Sequence, residues 1–265
     1  MYDSFDRRID YLRISITDKC NLRCVYCMPE EGVPRRSHED FLSFEAITKI
    51  VRSAVSLGVT KVRLTGGEPL VKRDVVGLVR MLKEVPGLET LAMTTNGTLL
   101  PRYADELRHA GLDRLNISLD TLDPERYRSI TRGGEIGRVL EGIDAALGAG
   151  FPVKINMVVM EDTGRGEIAG LRRFCESRGM TLQRIRHFSL TAEKNDDHRF
   201  DRPLPCAECN RIRLLAGGVL KPCLHSDDEI PVDPADIAGS LRRAVERKPA
   251  RGAGCTVRDM QEIGG

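Results

Sequence analysis

The sequence predicts an α/β fold, a partial (β/α)6 barrel of the TIM type with a small C-terminal extension. Three observations predict it. Short apolar strands alternate with amphipathic helices six times between residues 11 and 188. Units of that kind build parallel sheets with right-handed crossovers. The alternation then stops, and residues 192–205 are polar, charged and end in prolines, as a connection does. The chain therefore divides into a barrel region, 1–190, and a C-terminal region, 191–265.

The first strand covers 11–17, with Leu12, Ile14 and Ile16 facing one way and Tyr11, Arg13, Ser15 and Thr17 the other. A helix over 44–57 has Ser43 as N-cap and Gly58 as stop. Its apolar stripe is Ile47, Ile50, Val51, Ala54 and Leu57. The second strand, 61–65, leads into Gly66-Gly67-Glu68-Pro69. A helix over 74–85 buries Val75, Leu78, Val79 and Leu82 and ends at Pro86. The third strand, 88–94, precedes Thr95-Asn96-Gly97, and the helix over 101–110 ends at Gly111. The fourth strand is 114–119. A short helix after Pro124 and a longer one over 136–149 lead to the fifth strand, 153–159. A helix over 168–178 ends at Gly179, and the sixth strand is 182–188. In barrels of this type the functional loops follow the C-terminal ends of strands. Residues 20–27, 66–69 and 95–97 all take that position.

At 265 residues the chain is long enough to bury a large core. A net charge of +2 provides no global field for nucleic acid, so no nucleic-acid partner is expected. No run of 18 apolar residues exists, so no membrane span is expected. The N-terminus carries no apolar signal segment, which predicts a cytoplasmic location. In a reducing compartment, eight cysteines arranged as two triplets and two singletons point to metal or redox work rather than disulfides.

The first triplet is Cys20, Cys24 and Cys27, spaced C-x3-C-x2-C on a loop straight after a strand. Three thiolates at this spacing can hold a [4Fe–4S] cluster and leave one iron without a protein ligand. Structural zinc would want a fourth Cys or His, and none lies in the loop. The second triplet is Cys206, Cys209 and Cys223, spaced C-x2-C-x13-C. Zinc is the alternative there, with His225 or Cys255 as fourth ligand. Cys175 falls on the apolar stripe of its helix and reads as a core residue, and Cys255 as a free thiol. His38, His109, His198, Asp196-Asp197 and Asp227-Asp228-Glu229 read as solvated.

Cations recur on strand faces. Arg13 stands apart from Leu12 and Ile14. Lys61 and Arg63, Lys154 with Asn156, Arg184 and Arg186, and Arg211 and Arg213 each repeat at i, i+2. Pointing into a barrel without partners, such charges are costly. An anionic ligand such as a triphosphate would supply partners, and Arg suits bidentate phosphate binding. The alternative is that they cap the rim or pair with carboxylates.

Residues 20–27, with Tyr26 before the last cysteine, and Gly66-Gly67-Glu68-Pro69 resemble the radical S-adenosylmethionine superfamily. More narrowly, Leu12–Cys20, Arg63–Leu70, Thr94-Thr95-Asn96-Gly97, Asn116–Asp120, Cys206–Leu214 and the terminal Ile263-Gly264-Gly265 resemble the GTP 3′,8-cyclase family of molybdenum cofactor biosynthesis. The resemblance implies two [4Fe–4S] clusters and S-adenosylmethionine as cofactors. It implies Tyr26, Gly66, Gly67, Glu68, Ser118 and Asn156 at S-adenosylmethionine, and Arg13, Lys61, Arg63, Thr94, Lys154, Arg184, Arg211 and Arg213 at GTP or a related nucleotide. Gly264 and Gly265 would take part in catalysis. The implied reaction abstracts the ribose H3′ and closes 3′,8-cyclo-7,8-dihydro-GTP. A reductant such as flavodoxin or ferredoxin is implied as a partner, with a homodimer as an expected assembly.

The chain departs from that family in two places. Residues 189–205 are short where the family carries a longer stretch, and His187 stands where it has an acidic residue. Two other functions stay open at this level: a radical enzyme modifying another nucleotide, metabolite or peptide, and a non-enzymatic iron–sulfur redox or binding protein.

Overall fold

The computed structural model describes residues 1–32, 37–194, 200–201 and 204–264, except the side chain of His38. The barrel region runs β1 (Tyr11–Ser15), α1 (Phe44–Ser56), β2 (Lys61–Thr65), α2 (Val75–Lys83), β3 (Thr90–Thr95), α3 (Leu100–His109), β4 (Arg114–Ser118), α4 (Pro124–Thr131), α5 (Ile136–Gly148), β5 (Val153–Val159), α6 (Arg165–Glu176) and β6 (Thr181–Arg186). The remainder carries β7 (Arg211–Leu214), β8 (Val219–Lys221), β9 (Ile230–Pro231), α7 (Ile237–Glu246) and α8 (Met260–Ile263). The nine strands make one sheet in the order β6-β5-β4-β3-β2-β1-β7-β8-β9. β1 to β7 run parallel, β8 pairs antiparallel with β7, and β9 pairs antiparallel with β8.

The local signals act as their chemistry requires. Ser43 caps α1 by accepting from Ala46 N at 3.2 Å. Gly58 then takes φ +99°, a conformation that side chains resist. Asp123 caps α4 at Arg126 N, 2.8 Å.

Register explains the two faces of the sheet. Across β7, β1 and β2, Arg213, Arg13 and Arg63 stand in one row, and Arg211, Tyr11 and Lys61 in the next. Between those rows, Ile212, Leu12, Val62 and Leu91 of β3 form a fully buried row on the opposite face. That apolar row packs with α1 (Ile47, Ile50, Val51, Ala54) and α2 (Leu78, Val79, Leu82) into the main core. Pleating therefore sends the cations inward while the helices cover the apolar side.

The C-terminal region was expected to form a small separate unit. It continues the barrel's sheet through the parallel β7–β1 pairing, and Leu241, Ala244 and Val245 of α7 join the main core. The sequence hides this because β7 follows no crossover helix of its own. The β7 direction fixes the geometry of the site. Cys206 and Cys209 precede β7 and so lie at the N-terminal end of the parallel strands. The Cys20–Cys27 loop follows β1 and lies at the opposite, C-terminal end. β8 is antiparallel to β7, which returns Cys223 to the same end as Cys206 and Cys209.

Candidate active site

The first triplet sits on a loop held by backbone bonds. Val25 N donates to Ile130 O at 2.9 Å, and Arg23 N to Thr131 O at 3.2 Å. Cys27 N and Met28 N both donate to Cys24 O at 3.0 Å, which winds the turn. Cys20 Sγ accepts from Leu22 N at 3.4 Å and from Asn96 Nδ2 at 3.9 Å. Burial raises all three thiols, and Cys27 is pushed up to about 12 by burial, then by Cys20 and Asp259. Three half-buried thiols brought together on one loop, each raised by burial, are a donor set that a cationic metal group would deprotonate and bind. The donor set thus fits an iron–sulfur cluster.

The Gly66-Gly67 turn packs on residues 17–19, which lead into this loop. A Cβ on Gly66 would fall 2.5 Å from Thr17 O, and one on Gly67 2.4 Å from Lys19 O. Only glycine permits the approach. Glu68 is buried and fully engaged. Its carboxylate accepts from Leu70 N at 3.0 Å, Thr95 Oγ1 at 2.7 Å and Asn96 N at 2.6 Å. Burial pushes it up to about 7 against those donors. Glu68 thus ties the loops after β2 and β3 together. Tyr26 Oη donates to Asp120 Oδ2 at 2.7 Å, and Val158 N to Asp120 Oδ1 at 2.8 Å. Asp120 is pushed up to about 6 by burial.

One cavity of about 330 Å³ runs along the inward face of the sheet. Arg13, Lys61, Arg63, Thr94, Lys154, Asn156, Arg211 and Arg213 line it, as do Cys206, Cys209 and Cys223. The cations are crowded. Burial, then Arg213, hold Arg13 well below the usual guanidinium range. Arg213 is pushed down to about 10 by burial and by Arg211. Arg213 Nε is buried without a hydrogen-bond partner among the described residues. A cavity that concentrates like charge and orphans a donor is built for an anion.

The second triplet meets ammonium groups. Lys248 Nζ lies 3.3 Å from Cys209 Sγ, and Lys194 Nζ 3.4 Å from Cys206 Sγ. Burial would raise the Cys209 thiol, but the charges of Lys248 and Arg211 prevail and bring it down to about 6. A Cβ on Gly252 would fall 3.2 Å from Cys223 Sγ, so the chain passes that sulfur closely. Arg7 Nη1 ties Cys206 O, at 2.8 Å, to the 249–250 segment. These thiols fit an anionic sulfur-bound group. Among the described residues no three His, Cys, Asp or Glu side chains converge on a single metal ion. Cys255, fully buried beside Leu190, Leu215 and Ile263, serves a small second core, and Cys175 belongs to the main one.

The C-terminal tail enters the barrel. Asp259 and Glu262 form a capping box around α8, and Gly264 adopts φ +73° against Thr65 and Ser15. Arg13 Nη2 donates to Gly264 O at 2.9 Å. Arg258 anchors the base of α8 by a two-pronged pair with Glu229 at 2.8 and 2.9 Å and a bond to Glu262 at 3.0 Å. Asp227 accepts from Thr256 N and Oγ1. Asp227 and Asp228 are exposed, as a solvated run would be, yet Asp227 and the half-buried Glu229 also hold the tail. Gly265, Asp196-Asp197 and His198 lie outside the described residues; His109 is exposed.

Arg184 departs from its expected place. Its backbone N and guanidinium both meet Asp201, at 2.7 and 3.5 Å, and it does not line the cavity. Strand alternation gives the inward positions of β6 to Gln183 and Ile185. Ser118 and Tyr26 also lie outside that cavity. Tyr11, Lys194 and Lys248 line it without having been singled out. Tyr11 shares the face of Arg13 and accepts from Arg63 Nε at 2.5 Å, so strand parity contained its signal. A lone lysine after α7 carries none.

The fold, the open cysteine loop after the first strand and the glycine turn packed on the residues leading into it define a class: residues 14–175 match the model of the Radical SAM superfamily, and the chain belongs to it. Its curated relatives narrow the family. A protein named GTP 3′,8-cyclase from Geobacter sulfurreducens is 41% identical over 304 residues, covering 95% of this chain and 93% of the relative. One of the same name from Alkaliphilus metalliredigens is 39% identical over 320 aligned residues, spanning all of both chains. Those 320 positions exceed the 265 residues here, so that relative carries segments this chain lacks. Among solved structures, Streptococcus suis SuiB bound to S-adenosylmethionine shares the fold with a TM-score of 0.69 at 15% identity, over 92% of this chain and 65% of SuiB.

Proposed function

We propose that this chain is a GTP 3′,8-cyclase, the radical enzyme that forms 3′,8-cyclo-7,8-dihydro-GTP in molybdenum cofactor biosynthesis. The observation that carries the reading is the single cationic cavity joining the second cysteine triplet to the barrel interior, with the C-terminal tail held inside by Arg13. When bound at Cys20, Cys24 and Cys27, a [4Fe–4S] cluster with S-adenosylmethionine supplies one-electron carbon–sulfur cleavage and a hydrogen-abstracting 5′-deoxyadenosyl group.

The rest is positioning by this chain. Arg13, Lys61, Arg63, Lys154, Arg211 and Arg213 bind the triphosphate, Thr94 contacts the nucleotide, and Asn156 serves S-adenosylmethionine. Cys206, Cys209 and Cys223 would hold a second [4Fe–4S] cluster at the guanine end; their sulfur-facing lysines support this over zinc. Gly66 and Gly67 admit S-adenosylmethionine close to the backbone, and Gly264 and Gly265 take part in catalysis. A flavodoxin- or ferredoxin-type protein delivers the electron, in the cytoplasm. The 191–265 region serves as the substrate-holding part beside the 1–190 barrel; sedimentation of the loaded protein decides whether it works as a homodimer.

The test is anaerobic incubation of the reconstituted protein with S-adenosylmethionine, reductant and GTP, read by mass spectrometry. Wild type should form 5′-deoxyadenosine and the cyclised nucleotide together. Cys20→Ala should form neither, and Cys223→Ala should form some 5′-deoxyadenosine but no cyclised product. Equal loss of S-adenosylmethionine cleavage in both variants would overturn the division of labour.

A further inference from the structure

We infer that Lys248, aided by Lys194, is a positioning residue of the second cysteine site and holds its iron–sulfur cluster at a higher reduction potential than the cluster at Cys20, Cys24 and Cys27. This rests on reading the second triplet as a cluster site. Three lysines are buried among the described residues: Lys194, Lys221 and Lys248, at 7%, 0% and 2% exposure. Burying an ammonium is costly unless it finds partners. Lys221 finds the Glu229 carboxylate at 3.6 Å. The other two each meet a sulfur of the same triplet.

Lys248 is the better defined of the two. Its remaining bonds go to Arg211 O at 2.8 Å and Pro222 O at 3.0 Å, and no carboxylate pairs with it among the described residues. Pro222 precedes Cys223, and Arg211 lies two residues beyond Cys209. One lysine side chain thus ties both arms of the triplet together. The first triplet has the opposite surroundings. Two buried carboxylates stand beside it: Glu68, bonded to Asn96, whose amide reaches Cys20 Sγ at 3.9 Å, and Asp120, bonded to Tyr26 between Cys24 and Cys27. Reduction adds negative charge to a cluster, so nearby cations favour it and nearby anions oppose it. The opposite signs at the two ends separate the two potentials. They leave the stronger reductant where S-adenosylmethionine binds.

The test is an anaerobic potentiometric titration followed by electron paramagnetic resonance, with iron and zinc counted on each sample. The full chain carrying Cys20→Ala, Cys24→Ala and Cys27→Ala isolates the second site, and Lys248→Met and Lys248→Arg are added to it. Lys248→Met should bind iron yet lower the midpoint by about 59 mV, a tenfold change in a one-electron equilibrium. Lys248→Arg should restore most of the shift. A Lys248→Met protein that is folded by circular dichroism but loses its iron, while Lys248→Arg retains it, also supports the assignment. Full iron with an unshifted midpoint overturns this inference alone. Zinc in place of iron at the second site of the wild-type chain overturns the reading beneath it.

Discussion

At Cys209 two opposing effects meet, and their balance is measurable. Burial would keep the thiol protonated, yet Lys248 and Arg211 bring it down to about 6. In the cluster-free protein the thiolate therefore forms as pH rises through about 6, well below the ordinary value near 8.5. Alkylation of the Cys209 peptide, followed by mass spectrometry, should show its half-maximal rate near that pH, and Lys248→Met should move it upward. At Glu68 the carboxylate serves three donors. Glu68→Ala orphans them and should cost roughly 3 kcal/mol in urea unfolding. Neither partnership is legible in the sequence. The Gly-Gly-Glu-Pro string resembles a ligand loop, but only the fold shows that its acid also bonds Thr95 and Asn96.

Elements were more legible than residues. β2 and β5 have the bounds that alternation predicts, and the six strands of the barrel region follow in the expected order. Periodicity sees them because each buries one side against helices. β7, β8 and β9 are two to four residues long, too short for a period to declare itself. Inward faces were legible by parity on β1, β2, β5 and β7. On β6 two arginines at i, i+2 suggested a cationic face, but Asp201 draws Arg184 outward. Two element-scale predictions follow from close approaches. Gly67→Ala forces a Cβ to within 2.4 Å of Lys19 O. It should cost about 1–3 kcal/mol and lower the iron content of the first site. Arg258→Ala frees the base of α8 from Glu229 and Glu262. It should leave 5′-deoxyadenosine formation intact and cut cyclised product roughly tenfold, the effect of about 1.4 kcal/mol lost in positioning the tail. Liquid chromatography of both products checks it.

The whole molecule places its two cysteine triplets at opposite ends of one sheet, with the cationic rows of β7, β1 and β2 between them. The sequence names both triplets but not their separation, because that depends on β7 running parallel to β1. The cavity and its cations are in place among the described residues. The central claim is that this cavity presents the ribose of GTP to the S-adenosylmethionine end. GTP deuterated at C3′ tests it most directly. Under anaerobic turnover, 5′-deoxyadenosine should gain one mass unit as the cyclised nucleotide accumulates. Unlabelled 5′-deoxyadenosine from that substrate, or formation indifferent to GTP, would contradict the account.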